Sequence, residues 1–195
     1  SAVAYWFARD LCRRFDGKVP IGILQVGAIL PVEAWIDDAT VLATPQLSGL
    51  RGKGYPNATS RAFLANIAPL APYAIRGVIY YQGEMNAGRP SDYRFGLEAM
   101  IKSWRQAWAK PELPFLVVQL PGFIKHEEKH AMDMDAKSLA QFQGENQDHA
   151  FCYIREAQRQ VAQAVPQMGL AVTIDVGAPL DIHPPNKQPV GVRLA

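Results

Sequence analysis

Four short apolar runs constrain the fold of this chain most: Ile21 to Val26, Gly77 to Tyr81, Phe115 to Leu120, and Leu170 to Asp175. Each is near-continuous rather than alternating and rich in Val, Ile and Leu, the pattern of strands covered on both faces of a parallel sheet. Parallel strands need long crossover connections, usually helical, and helical patterns lie where the crossovers must run. Tyr93, Leu97, Met100, Ile101, Trp104 and Trp108 fall on one stripe of a helix, with Ser91 or Asp92 able to cap its start. Ala150, Ile154, Ala157, Val161 and Ala164 form a second stripe, with Asp148 as the expected cap and Pro166 as the stop. Strand alternating with helix predicts the α/β class, with a layer of helices on each face of a mostly parallel sheet.

Composition narrows the function classes. The 195 residues are 49% hydrophobic and 19% charged, which fits one compact domain over the whole chain and argues against disorder. A net charge of +2, with scattered basic residues, gives no case for a nucleic-acid partner or an anionic membrane. No apolar run approaches the roughly 20 residues that span a bilayer, and the N-terminus lacks the order of a signal peptide. Cys12 and Cys152 make neither a disulfide framework nor zinc-ligand spacing, and read as two buried thiols. Ser1 opens directly onto a helical pattern, and the last residues, Gln188 to Ala195, read as helical turns without a capping signal. A piece of a longer protein is the expectation.

In an open α/β sheet the ligand sits outside the carboxyl ends of the strands, so the loops after Val26, Tyr81, Leu120 and Asp175 are those to read for chemistry. After the second run, Gln82, Gly83, Glu84 and Asn86 put two amides and a carboxylate within five positions. Gln82 and Asn86 can donate N–H bonds to a developing oxyanion, Gly83 permits close backbone approach, and Glu84 can orient a neighbour or a substrate hydroxyl. A turn with permissive Gly and Asn residues accounts for the same letters. After the last run, Asp181 stands two residues before His183, among prolines that hold the backbone extended. A histidine acting as a base needs a carboxylate or carbonyl on its other ring nitrogen, and Asp181 or Asp175 can supply it. A capping Asp beside a surface His is the plainer alternative. The stretch His126-Glu127-Glu128-Lys129-His130 matches H-E-x-x-H, and on a helix would offer two zinc ligands, with His149, Glu145 or Glu156 as a third. Its flanks lack an extended apolar stripe and it falls in a long polar stretch, Pro121 to His149, so no metal is expected. No serine lies in G-x-S-x-G.

Several segments together resemble the sialate O-acetylesterase-like branch of the SGNH hydrolases. They are Ser1 to Leu11, Pro20 to Trp35, Asn66 to Asn86, Tyr93 to Leu120, Arg155 to Gln158 and Gly169 to Ala195. The most specific is Pro69 to Asn86, where the family reads a Pro-Tyr, a strand, and then Trp-Tyr-Gln-Gly-Glu-Ser-Asn. Next is Ala171 to Asp175 followed by Asp181-Ile182-His183-Pro184, then Asn186-Lys187-Gln188 and Val190-Gly191.

The resemblance implies a three-layer α/β/α sandwich of flavodoxin-like shape, hydrolysis of O-acetyl esters on carbohydrates, and no cofactor. The substrate is sialic acid or an acetylated plant or bacterial polysaccharide, and the family is mostly secreted, periplasmic or lysosomal. By position His183 is the general base, Asp181 its acidic partner, and Gln82, Glu84 and Asn86 line the site, with Gly27 as a backbone oxyanion donor. The family's nucleophile sits in a Gly-Gln-Ser-Asn segment ahead of Ser1, so the serine and the first strand are expected outside this chain, leaving an apolar gap beside Ile21 to Val26 or Gly77 to Tyr81. Where relatives carry a Gly-Gly pair before Pro-Ile-Glu-Ala-Trp, this chain has Gly27-Ala28-Ile29-Leu30 before Pro31-Val32-Glu33-Ala34-Trp35. Two other readings remain: a non-catalytic glycan-binding relative, and a zinc hydrolase using His126 and His130.

Overall fold

The computed structural model of the chain describes residues 1–51, 59–123, 150–178 and 181–195. Three strands, β1 (Val78–Tyr80), β2 (Phe115–Val118) and β3 (Met168–Ala171), form a parallel sheet in the order β1-β2-β3. Val78 pairs with Phe115 and Tyr80 with Val117, while Phe115 pairs with Met168 and Val118 with Ala171. Among the described residues six helices accompany the strands: α1 (Ala2–Arg14), α2 (Asp38–Ala43), α3 (Pro45–Ser48), α4 (Pro90–Ala107), α5 (Ala150–Ala164) and α6 (Gln188–Leu194). Helix α4 carries the crossover from β1 to β2, and α5 that from β2 to β3.

The alternation of side chains along β2 divides the core. Phe115 and Val117 join the larger apolar cluster with Leu97, Met100 and Trp104 of α4 and Ile154, Ala157 and Val161 of α5. Val118 faces the other way, into a smaller cluster with Val3 of α1, Ala171 of β3, and Val190 and Leu194 of α6. Helices therefore cover both faces of the sheet, as the α/β pattern requires.

Gly191 fixes the contact between α1 and α6. A Cβ there would stand 2.5 Å from the Trp6 Cβ, 2.7 Å from the Phe7 nitrogen and 2.7 Å from the Val3 carbonyl. Backbone cannot move aside as a flexible side chain can, so Gly191→Ala is expected to cost about 1–3 kcal/mol by overpacking. The check is a lowered urea midpoint at unchanged m-value.

Three of the four expected strands form, with β3 displaced two residues toward the N-terminus of its run. The displacement has a local cause: the Thr173 hydroxyl bonds the Gln119 carbonyl at 2.5 Å, and Ile174–Val176 turn into a 3-10 helix. Ile21 to Val26 is not a strand. It runs without a named element, with Ile23, Leu24 and Val26 exposed by 44%, 50% and 36%. Apolarity specifies burial, but a strand also needs a neighbour to pair its N–H and C=O groups, and among the described residues this stretch joins no ladder. Helix α4 starts earlier than its apolar stripe, with Arg89 at the cap position and Pro90 in the first turn rather than Ser91 or Asp92 as the cap. Helix α5 spans its predicted stripe; its expected cap, Asp148, lies outside the described residues. No helix among the described residues is long and apolar enough to cross a membrane.

Candidate active site

The loop after β1 is organised by amide groups. Gln82, 8% exposed, uses its side-chain nitrogen on the Asn86 Oδ1 at 2.9 Å and the Leu30 carbonyl at 3.4 Å, while its Oε1 accepts from the Tyr80 hydroxyl at 3.2 Å. Asn86 is buried. Its Oδ1 also accepts from the Val32 N–H at 2.9 Å, and its Nδ2 donates to Glu33 Oε2 at 3.1 Å. Glu33 lies in the 3-10 turn Val32–Trp35, which α4 holds closely: the Trp104 indole donates to the Trp35 carbonyl at 2.8 Å, and a Cβ on Gly96 would meet Val32 Cγ1 at 2.4 Å. The second Glu33 oxygen pairs with the Arg89 guanidinium.

The backbone of the same loop is held from the opposite side. The Tyr93 hydroxyl donates to the Gln82 carbonyl at 2.8 Å, and the Gln158 amide of α5 donates to that carbonyl at 3.3 Å and to the Val118 carbonyl at 3.2 Å. The Leu120 N–H closes the set by donating to Gln158 Oε1 at 3.0 Å. Burial pushes the Tyr80 and Tyr93 phenols above their ordinary range, so both remain neutral donors wherever the protein works. One glutamine thus ties together the carboxyl ends of β1 and β2.

Gly83 follows Gln82 with φ +158 and opens the 3-10 turn Glu84–Asn86. Glu84 is half-buried, and burial raises its carboxyl above the ordinary range; its own N–H, the charge of His183, the N–H of Gly83 and the charge of Lys187 pull the other way. Lys187 is lowered by burial and raised in turn by Glu84 and Asp181, and its ammonium lies 5.5 Å from the Tyr81 ring centre. The Tyr81 phenol is pushed up to about 12 by burial and by the Glu84 charge. Glu84 therefore feels the charges of His183 and Lys187, and Lys187 those of Glu84 and Asp181, across the ends of β1 and β3.

A carboxyl raised by folding takes up a proton as the chain folds. Its stabilisation is complete below the unfolded value of 4.5 and is lost as pH rises through the folded value. Glu84→Gln abolishes that dependence, so the melting temperature of the variant relative to wild type is expected to rise between about pH 4 and about pH 7. Parallel melting curves across that range check it.

The two acids left open as partners of His183 are engaged differently. Asp175 is clamped by Arg193 through two bonds of 2.5 and 2.6 Å, which hold its carboxyl at about 2. Asp181 accepts the backbone N–H of His183 at 2.7 Å, and its own N–H donates to Ala178, so its recorded bonds shape the loop. Gly27 stands in open space, a Cβ there meeting nothing within 4 Å; the Leu30 carbonyl is what reaches Gln82 from that segment. His126, His130, His149 and Glu145 lie outside the described residues. Glu156, the remaining zinc-ligand candidate, is exposed on α5 and pairs with Arg159 at 2.6 Å. Among the described residues no group of three or more His, Cys, Asp or Glu is placed to hold a metal ion.

Sequence reading found the amides and missed their anchors. Gln158 is a polar residue beside the apolar stripe of α5 and is fully buried, and Glu33 is a charge inside the apolar run Pro31 to Trp35. Those anomalies were the available signals. A groove of about 590 Å³, lined by residues including Ile75, Arg76, Lys110 and Glu112, lies at the amino ends of β1 and β2, away from the loops described above.

The family model for carbohydrate esterases described as sialic acid-specific acetylesterases matches residues 2–166. The curated sialate O-acetylesterases of Homo sapiens and Pongo abelii are each 28% identical over 216 residues, covering 100% of this chain and 38% of the relative. A crystal structure of a carbohydrate acetylesterase from Xanthomonas citri superposes with a TM-score of 0.76 at 35% identity, over 98% of this chain and 38% of that one. The chain spans little more than a third of the length of these relatives.

Proposed function

The chain belongs to the sialic acid-specific acetylesterase family of carbohydrate esterases, and from that premise we propose that it supplies the histidine and the amide network for hydrolysis of O-acetyl esters on carbohydrates. The observation that carries this reading is that Gln82, Glu84 and Asn86 at the carboxyl end of β1 stand beside the Asp181 to Lys187 loop, whose Lys187 ammonium lies 5.5 Å from the Tyr81 ring centre and whose His183 and Lys187 charges act on the Glu84 carboxyl. The acetylated sugar would be sialic acid or an acetylated plant or bacterial polysaccharide.

The chemistry is acyl transfer in two steps. His183 takes the proton of a serine hydroxyl as that oxygen attacks the acetyl carbonyl, and returns the proton to the departing sugar oxygen. It then takes a proton from water as that water attacks the acyl-serine, and hands the proton to the serine oxygen as acetate leaves. The proposed nucleophile is a serine ahead of Ser1. Gln82 is the oxyanion donor: its contact with the Leu30 carbonyl, at 3.4 Å, is the longer of its two donated bonds and the one an oxyanion would replace. Asp181 fixes the backbone of His183, and the charge of His183 acts on the Glu84 carboxyl.

A glycan-binding relative without catalysis is the competing reading, favoured by the full occupation of the Gln82 side-chain nitrogen in this conformation. Acetate release separates the two. The complete protein is expected to liberate acetate from O-acetylated sialic acid or acetylated xylan, whereas binding of either glycan with no acetate formed would establish the non-catalytic alternative.

A further inference from the structure

The Glu33 carboxylate takes no part in the acyl-transfer scheme, yet it is 1% exposed and bonded at each oxygen. A carboxylate only accepts hydrogen bonds. Asn86 must therefore turn its NH2 toward Glu33, and this turns its Oδ1 toward the Val32 N–H and the Gln82 Nε2, both at 2.9 Å. Gln82 is oriented in its turn, with its nitrogen toward Asn86 and Leu30 and its oxygen toward the Tyr80 hydroxyl. Reversing Asn86 sets donor against donor at Val32 and Gln82, and reversing Gln82 sets acceptor against acceptor at Asn86 and Leu30. Arg89 supplies the countercharge that a buried carboxylate requires, and its other terminal nitrogen reaches Asp92 at 3.5 Å.

We propose that Glu33, neutralised by Arg89, is a positioning residue that sets the amide orientation of Asn86 and, through Asn86, the direction in which Gln82 presents its N–H groups. The proposal rests on the reading of Gln82 as an oxyanion donor. Stability alone would not call for this arrangement, because a buried ion pair is often no better than well-packed apolar groups of the same volume. A direction imposed on two successive amides does call for an acceptor-only group at its origin.

The test is a swap of polarity in the complete protein. Glu33→Gln preserves volume but places a second NH2 against either Asn86 or Arg89. Asn86→Asp sets two carboxylates face to face. In the double variant the new amide donates to the new carboxylate, whose other oxygen still accepts from Val32 and Gln82, and the amide oxygen accepts from Arg89. Each single substitution is expected to lower kcat for an aryl acetate by about 10-fold or more with KM within about threefold, as for misplaced transition-state donors. The double variant is expected to return to within about fivefold of wild type.

A Glu33→Gln variant with the wild-type kcat, or a double variant no better than the worse single, overturns the proposal. Melting temperatures are read on the same four proteins, so that a single variant that fails to fold still leaves a measurable result: a double variant near wild type supports the swap, and one no more stable than the singles contradicts it. Coupling in melting temperature with no acetate released by any of the four, wild type included, would count against the esterase reading and for the donor–acceptor assignment.

Discussion

Replacement of His183 by alanine is expected to reduce kcat for acetyl ester hydrolysis by about 10³-fold or more, with the melting temperature nearly unchanged. The two halves of that expectation have separate causes. His183 is exposed on the loop after β3, and the bond recorded for it uses its backbone N–H, which alanine retains. Its imidazole is the group of the described site through which the proposed acyl transfer moves its protons. Removing it leaves the amide network intact, so KM for the sugar ester should change far less than kcat. Steady-state kinetics on an aryl acetate and on an O-acetylated sugar, beside thermal melts of both proteins, provide the check.

The largest loss of stability is expected from Gly83→Ala. A Cβ at this position would lie 2.8 Å from Ile154 Cγ2 and 3.0 Å from Leu120 Cδ1, and the residue has φ +158. Ile154 and Leu120 are both fully buried, so neither side chain has space into which to withdraw. Overpacking and backbone strain together predict about 2–4 kcal/mol. Activity should fall further than stability, because any shift of the loop moves the Gln82 carbonyl off Tyr93 and Gln158 and re-aims the Gln82 side chain. Urea unfolding and kinetics well below the melting temperature separate the two effects. An alanine variant of wild-type stability would show that the loop does not sit against α5 as described.

Local pattern was legible in the sequence where periodicity was strong. The stripe from Tyr93 to Trp108 and that from Ala150 to Ala164 became α4 and α5, because side chains at steps of three and four have one apolar face to bury. Phe115 to Val118 became the central strand for a comparable reason: it alternates between two apolar clusters and is buried by both. Ile21 to Val26 shows what periodicity leaves out. An apolar run states what a segment avoids, but whether it pairs depends on backbone supplied from elsewhere, and here no described strand lies beside it.

The site divides along the same line. Gln82, Glu84 and Asn86 stood out because so many polar groups at a strand end need partners, and they are adjacent in sequence. The partners themselves come from 53 residues earlier for Glu33 and 76 residues later for Gln158, separations over which composition carries no signal. The choice of acid was not legible either. Spacing leaves Asp175 and Asp181 both open, and only the fold places Arg193 on one and the His183 backbone on the other.

The central claim is that this chain contributes the general base and the amide network of a serine esterase whose nucleophile lies ahead of Ser1. Labelling the complete protein with an activated phosphonate ester, followed by peptide mapping, tests it most directly. A single serine N-terminal to Ser1 should carry the label, and His183→Ala should abolish the labelling. Modification of a serine within residues 1–195, or labelling that proceeds as fast without the imidazole, would contradict the assignment.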